Sequence, residues 1–306
     1  MSNKDRILAI IEMENSPDTV VERAAWIAKL VDCDLELLLC EPAFSPLGYQ
    51  IIVSNEAREI ARNISELRKE TIENFANTAR EMGITVTTDV LEERPIADGI
   101  LAKAINMDPR FIVKGTHYHS AADRGIMIDT DWQLIRTSPY PLWLVKREEF
   151  RKKPVIIAAV DPTHEHDKPM ALDQAIIDAA KTIADPTNGE VHLLHTYERL
   201  IGIGKAANRA IKSTILPIDE LEKRIQETHR TALNELAEKN GFDDKHTHQL
   251  PGKTREILPT YTRSKNADLV VMGALARWGI KRMVVGSTAE RVLDHLPCDV
   301  LIVRPE

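Results

Sequence analysis

The sequence predicts an α/β protein built twice over: two successive five-stranded parallel sheets, each with helices on both faces. Three observations predict it. Short apolar runs alternate with longer segments whose apolar residues recur at helical spacing, the pattern of a βαβ array. Landmarks repeat at one offset: Gly83 and Gly241, Gly115 and Gly273, and Val145 and Val303 each stand 158 residues apart. A charged, unpatterned stretch from Lys146 to Lys153 separates the copies. It places one domain at residues 1–150 and the other at residues 151–306.

In the first half, Ile7 to Ile11 reads as a strand ending at Glu12. Pro17 to Val31 follows as a helix with Val20, Ala24, Ile27 and Val31 on one face. Leu35 to Cys40 is the second strand, and Pro42 to Ile52 is irregular. Asn55 to Met82 is a long helix whose stripe comprises Ile60, Ile64, Leu67, Thr71, Phe75, Ala79 and Met82, stopped by Gly83 as a C′ glycine. Ile84 to Leu91 is a strand. Pro95 opens a helix where its missing N–H costs nothing. Phe111 to Lys114 is a strand ending at Gly115, Asp131 to Arg136 a helix, and Leu142 to Val145 the last strand.

The second half restarts with a strand from Val155 to Val160, ending at Asp161. A helix from Pro169 to Ile183 turns Leu172, Ile176, Ala179 and Ile183 inward. Val191 to Thr196 is the second strand. Ile218 to Asn240 repeats the long helix with Ile218, Leu221, Ile225, Ala232 and Leu236 in line, and Gly241 stops it. Thr254 to Ser264 is a helix that Pro259 should kink. Leu269 to Met272 and Val300 to Val303 complete the sheet. Strands so connected are parallel with right-handed crossovers.

Composition narrows the function. A chain of 306 residues with 43% apolar residues sustains two real cores. The net charge of −7 argues against general nucleic-acid or anionic-membrane binding, which needs a basic surface. Three cysteines (Cys33, Cys40 and Cys298) are odd in number and form no paired motif, so they read as reduced and cytosolic. The apolar run near the start turns acidic too soon for a signal peptide. No stretch approaches membrane-spanning length.

The chemistry concentrates between Ala267 and Thr288. A buried strand runs into Gly273, where glycine permits positive φ or close backbone approach. A loop with Arg277, Lys281 and Arg282 leads to Gly286, Ser287 and Thr288. Ser287 with Glu290 forms a capping box, so a helix starts there. Its free N–H groups and dipole suit an anion. Asp161 and Gly273 end strands one and four, so they face one crevice at the switch point of the sheet.

The order Gly273-x2-Ala276-x9-Gly286-Ser287-Thr288 resembles the nucleotide-binding signature of the universal stress protein family, with Ala276 in place of the second glycine. The resemblance extends over nearly the whole chain. It implies two tandem flavodoxin-like, HUP-type domains. It also implies an ATP site in the second domain only, formed by Asp161, Thr196, Met272, Gly273, Leu275, Ala276, Gly286, Ser287 and Thr288, with an accompanying Mg left open. Asp161 would hold the nucleoside, the loop and helix start the phosphates, and Thr196 and Met272 the base through backbone atoms. From the residues alone, Asp161 has an alternative reading as a turn residue before Pro162, Ser287 as a cap, and Thr196 and Met272 as core. The three basic residues either screen a triphosphate or form a solvated loop. If Ala276 needs positive φ, its methyl costs about 1–2 kcal/mol, about tenfold in affinity.

At the matching positions the first half has Tyr118 for Ala276, Ile128 for Gly286, Asp129 for Ser287 and Glu12 for Asp161. These fill the phosphate space with side chains and a like charge, so the first half reads as a structural partner. Its helix keeps a capping box in Thr130 and Gln133. Histidine pairs at His117/His119, His164/His166 and His246/His248 bring no evident third and fourth metal ligand. Gly202 to Lys205 is too short for a phosphate loop.

The family implies a non-catalytic, cytoplasmic, nucleotide-responsive stress protein acting in starvation, DNA damage or growth arrest. It also implies that the domains pair with each other as a pseudo-dimer through Leu142–Val145 and Val300–Val303, with further association of chains left open. An ATPase or nucleotidyl transferase on the same topology is the enzyme alternative. Asp161 to His166 lacks the H-x-G-H spacing of such transferases. A carrier of apolar ligands, lined by Leu200 to Leu216, is the third reading.

Overall fold

The computed structural model describes residues 5–41, 55–92, 94–116, 130–146, 149–163, 170–199, 218–273, 292–293 and 295–304. The chain divides into two compact units, Met1–Glu148 and Glu149–Glu306, each described by itself.

Unit one runs β1 (Arg6–Ile11), α1 (Pro17–Leu30), β2 (Asp34–Cys40), α2 (Asn55–Glu81), β3 (Val86–Leu91), α3 (Ile96–Met107), β4 (Phe111–Gly115), α4 (Thr130–Thr137) and β5 (Leu142–Val145). Its strand order is β3-β2-β1-β4-β5, every neighbouring pair parallel. Unit two runs β6 (Val155–Ala159), α5 (Met170–Thr187), β7 (Glu190–Tyr197), α6 (Ile218–Lys239), β8 (Thr247–Pro251), α7 (Thr254–Lys265), β9 (Leu269–Gly273) and β10 (Asp299–Val303). Its order is β8-β7-β6-β9-β10, again all parallel. The order reverses between β1 and β4 in one unit and between β6 and β9 in the other.

The cores lie where sheet meets helix. Ile7, Leu8, Ile10, Ile11 and Leu37 in unit one, and Ile156, Ile157, Leu193 and Val270 in unit two, are fully or almost fully buried. Such continuous apolar strands need a cover on each face, which the crossover helices supply. Gly83 and Gly241 take φ +84° and +75° just past α2 and α6, the left-handed turn that ends a helix with its last carbonyls satisfied. Asp268 fixes the entry to unit two. Its two carboxylate oxygens share the Arg151 Nε–H, at 3.0 and 2.8 Å, and Oδ2 also accepts the Val155 N–H at 2.8 Å.

Several expectations are corrected. Ala79 on α2 lies inward as expected, but its buried companions are Ile72 and Ala76, and α6 turns His229, Leu233 and Ala237 inward. Leu67 and Leu221 stand exposed instead. The displacement on α6 follows from a polar residue, His229, that is buried and hydrogen-bonded rather than solvated. On α5, Ala180 is buried and Ala179 only half-buried. The third strand begins at Val86, and Pro95 is the cap before α3 rather than its first residue. α7 ends at Lys265, one residue beyond the expected Ser264, with Pro259 inside it. β8 lies where no apolar run announced a strand; its residues are Thr, His, Gln, Leu and Pro.

Candidate functional site

In unit two the end of β6 and the end of β9 lie side by side, with Ala159 opposite Met272. Asp161 follows β6 by two residues, and Gly273 closes β9. The carboxylate of Asp161 is held rather than loose. Its Oδ1 accepts the Thr163 hydroxyl at 3.1 Å and lies 4.0 Å from His195 Nδ1. Its backbone N–H donates to Oδ1 of Asp173, a buried carboxylate in the first turn of α5, at 2.9 Å.

Behind Asp161 stand two buried histidines. His195 Nδ1 lies 3.2 Å from the Val160 carbonyl, and His195 Nε2 lies 2.7 Å from His229 Nδ1. A carbonyl only accepts, so a proton sits on His195 Nδ1; in the neutral ring Nε2 is then the acceptor toward His229. The rings stack with centroids 5.0 Å apart, and Tyr197 packs 5.3 Å from His229. Thr196, one residue on, shares a hydroxyl hydrogen bond of 2.6 Å with Thr254 at the start of α7. The geometry offers a fixed carboxylate acceptor at a strand end, suited to a hydroxyl donor.

Gly273 does not take positive φ. A Cβ there would come within 2.6 Å of Leu172 Cδ2. The close approach that requires glycine is therefore made by α5. Met272 is buried in β9. Leu275, Ala276, Gly286, Ser287 and Thr288 lie outside the described residues. So do Arg277, Lys281, Arg282, the segment Leu200 to Leu216, and His117, His119, His164 and His166. Among the described residues no group of three His, Cys, Asp or Glu side chains has the geometry to hold a metal ion.

Unit one is arranged differently at the same place. Lys114 in β4, opposite Ile10 of β1, is buried with 2% of its side chain exposed. Its Nζ donates to Glu12 Oε2 at 2.7 Å and to the Gly115 carbonyl at 3.1 Å, and lies 2.6 Å from Asp131 Oδ1. Asn15 also donates to Glu12. Burial alone would push the Lys114 pKa down, but the carboxylates of Asp131 and Glu12 outweigh it and hold the pKa above 10.5. Tyr118, Ile128 and Asp129, the residues expected to block this unit, lie outside the described residues.

The sequence reading missed Lys114, Asp173, His195 and His229. The available signal was a charged or ionisable residue inside an otherwise apolar strand or on the inward helix face. The first unit carries leucine where His195 stands: Ile10 pairs with Leu38 as Ala159 pairs with Leu194, so Leu39 is the counterpart of His195.

The comparisons with known proteins agree with the doubling. The universal stress protein family model matches residues 4–146 and again residues 154–304. Universal stress protein E of Photorhabdus laumondii is 25% identical over 311 residues, covering 100% of this chain and 96% of the relative. Universal stress protein E of Escherichia coli K12 is 24% identical over 307 residues, with the same coverage. Among solved structures, a functionally unknown protein from Pseudomonas aeruginosa PAO1 superposes with a TM-score of 0.75 at 24% identity, over 98% of this chain and 92% of that one. A universal stress protein from Archaeoglobus fulgidus superposes over the whole of both chains with a TM-score of 0.64 at 18% identity.

Proposed function

Since this chain belongs to the universal stress protein family, matched once by each half, we propose that it is a non-catalytic stress-response protein of the cytoplasm whose second domain, residues 151–306, binds ATP. Asp161 accepts a ribose hydroxyl. The backbone at Thr196 and Met272 meets the base. Gly273, Leu275, Ala276, Gly286, Ser287 and Thr288 cradle the phosphates. The first domain, residues 1–150, is a partner without nucleotide. Leu142–Val145 and Val300–Val303 pair across the two domains.

The observation that supports this reading is one strand position. Where β4 of unit one carries Lys114, locked between Glu12 and Asp131, β9 of unit two carries Met272. The end of β9 beside Asp161 therefore has no lysine of its own drawn between two carboxylates.

Titration calorimetry with ATP, with and without Mg²⁺, tests the proposal on the full chain. Asp161→Ala should weaken binding about tenfold, the worth of a hydrogen bond to a charged acceptor. Ala276→Gly should strengthen it by a similar factor if the methyl strains the loop. No heat from the wild type or from Ala276→Gly would reject the nucleotide reading. Sustained ATP turnover abolished by Asp161→Ala would reject the non-catalytic one.

A further inference from the structure

The geometry points to a proton-operated latch at the outer edge of unit two, in which a neutral His192–His248 pair holds strand β8 on the sheet and double protonation releases it. The inference is independent of the nucleotide reading, because none of its residues belongs to that crevice.

Among the described strands β8 is the outermost of its unit, paired with β7. Its four residues Thr247 to Leu250 are only half-buried, and Pro251 is exposed. It thus has little apolar burial to hold it, unlike the central strands. What it has instead is a cluster of imidazoles. His192 on β7 is 5% exposed, and its Nδ1 lies 3.1 Å from Nε2 of His248 on β8. The His246 ring sits 5.2 Å from His192, and the His246 carbonyl opens the β7–β8 ladder by accepting the Leu193 N–H at 2.8 Å.

The pair needs an unprotonated nitrogen to hold together. With one of the two facing nitrogens, His192 Nδ1 and His248 Nε2, bare, the other donates to it. When both rings are doubly protonated, each facing nitrogen carries an N–H. The bond is then lost and two cations meet at the same distance.

The surroundings discourage that charge. From α7, Lys265 adds a positive charge and Tyr261 packs its ring 5.3 Å from His248. From the loop before β8 come Lys245, His246 and Asp243, the last 2.5 Å from His246 Nδ1. From β7 comes Glu190, whose Oε2 lies 3.7 Å from His192 Nε2 and partly offsets the repulsion. Burial first, then Lys265, His248 and His246, push His192 from 6.5 down to about 4. Burial first, then Lys265 and His246, lower His248 as well. Both folded values lie below the unfolded one. The stabilisation is therefore whole above pH 6.5 and drains away as pH falls from 6.5 towards about 4.

Hydrogen exchange followed by mass spectrometry on the full chain tests the latch, with β6 peptides as an internal standard. After correction for intrinsic rates, protection of the 243–251 peptide should fall at least about tenfold between about pH 7.5 and about pH 4.5, because His192 binds its proton with a pKa of about 4 in the seated strand and of 6.5 in the released one. Protection of β6 should change much less. In His192→Gln/His248→Gln, whose amides cannot charge, the acid-specific fall should shrink to within about threefold. Equal protection at both pH values, or an undiminished fall in the variant, overturns the inference. Should the variant fold poorly, imidazole titration by NMR decides it in the wild type: ordinary values near 6.5 for both His192 and His248 overturn it, and depressed ones support it.

Discussion

The switch points of the two units place polar groups in the same crevice of the same fold, and they spend them in opposite ways. Unit one drives a lysine from β4 between two carboxylates, so its ionisable groups satisfy one another. Unit two keeps β9 apolar to its end and moves its ionisable groups sideways, to His195 on β7, His229 on α6 and Asp173 on α5. All of these lie behind Asp161 rather than across the strand ends. A duplicated sheet can therefore keep its topology while one copy pairs a buried lysine with two carboxylates at its strand end and the other holds a carboxylate acceptor there.

The largest test of this contrast removes the lysine. Lys114→Met, which gives unit one the residue of unit two, should cost about 3–5 kcal/mol in chemical denaturation, because buried Asp131 and half-buried Glu12 are left without their cation. Combining it with Glu12→Gln and Asp131→Ala should restore most of the loss. A neutral single variant would break the contrast. Alkaline pH sharpens it. Lys114 is held above 10.5, so its contribution is whole below pH 10.5 and is lost as pH rises through the higher folded value. Denaturation across that range should show an alkaline loss in the wild type that Lys114→Met lacks.

A smaller effect separates the two strand-end glycines. A methyl at Gly115 would meet the Asn15 carbonyl oxygen at 2.5 Å, and one at Gly273 would meet the end of the Leu172 side chain. Backbone yields less than a side-chain tip. Gly115→Ala should cost about 1–3 kcal/mol and Gly273→Ala should fall at the low end of that range, read by thermal denaturation. The smallest effect concerns Thr196→Val, which removes the bond to Thr254 and should cost about 1 kcal/mol. Cys40 stands at the equivalent place in unit one, so Cys40→Val should cost less than Thr196→Val.

The duplication and the parallel sheets were legible because apolar runs and helix-ending glycines are written locally. Gly83 and Gly241 needed only their position after a helix to be read correctly. β8 was not legible, since THQLP has neither an apolar run nor a clean alternation, and its place is set by pairing with β7. The inward stripe of α6 was misplaced because hydrophobicity alone cannot tell a solvated histidine from one satisfied in the core, as His229 is. The same blindness hid Lys114. Gly273 stood out in the sequence as a strand end, but what demands glycine there is packing, which depends on a helix about a hundred residues earlier in the chain.

The first turn of α5 has a consequence for how the crevice can respond. Leu172 rests directly on Gly273, and its neighbour Asp173 grips the amide of Asp161. One helical turn thus acts as a keystone between the tips of β6 and β9, with no slack on either side. Whatever pushes on one tip must carry the helix, and through it the other tip, so the two walls travel as a single jaw.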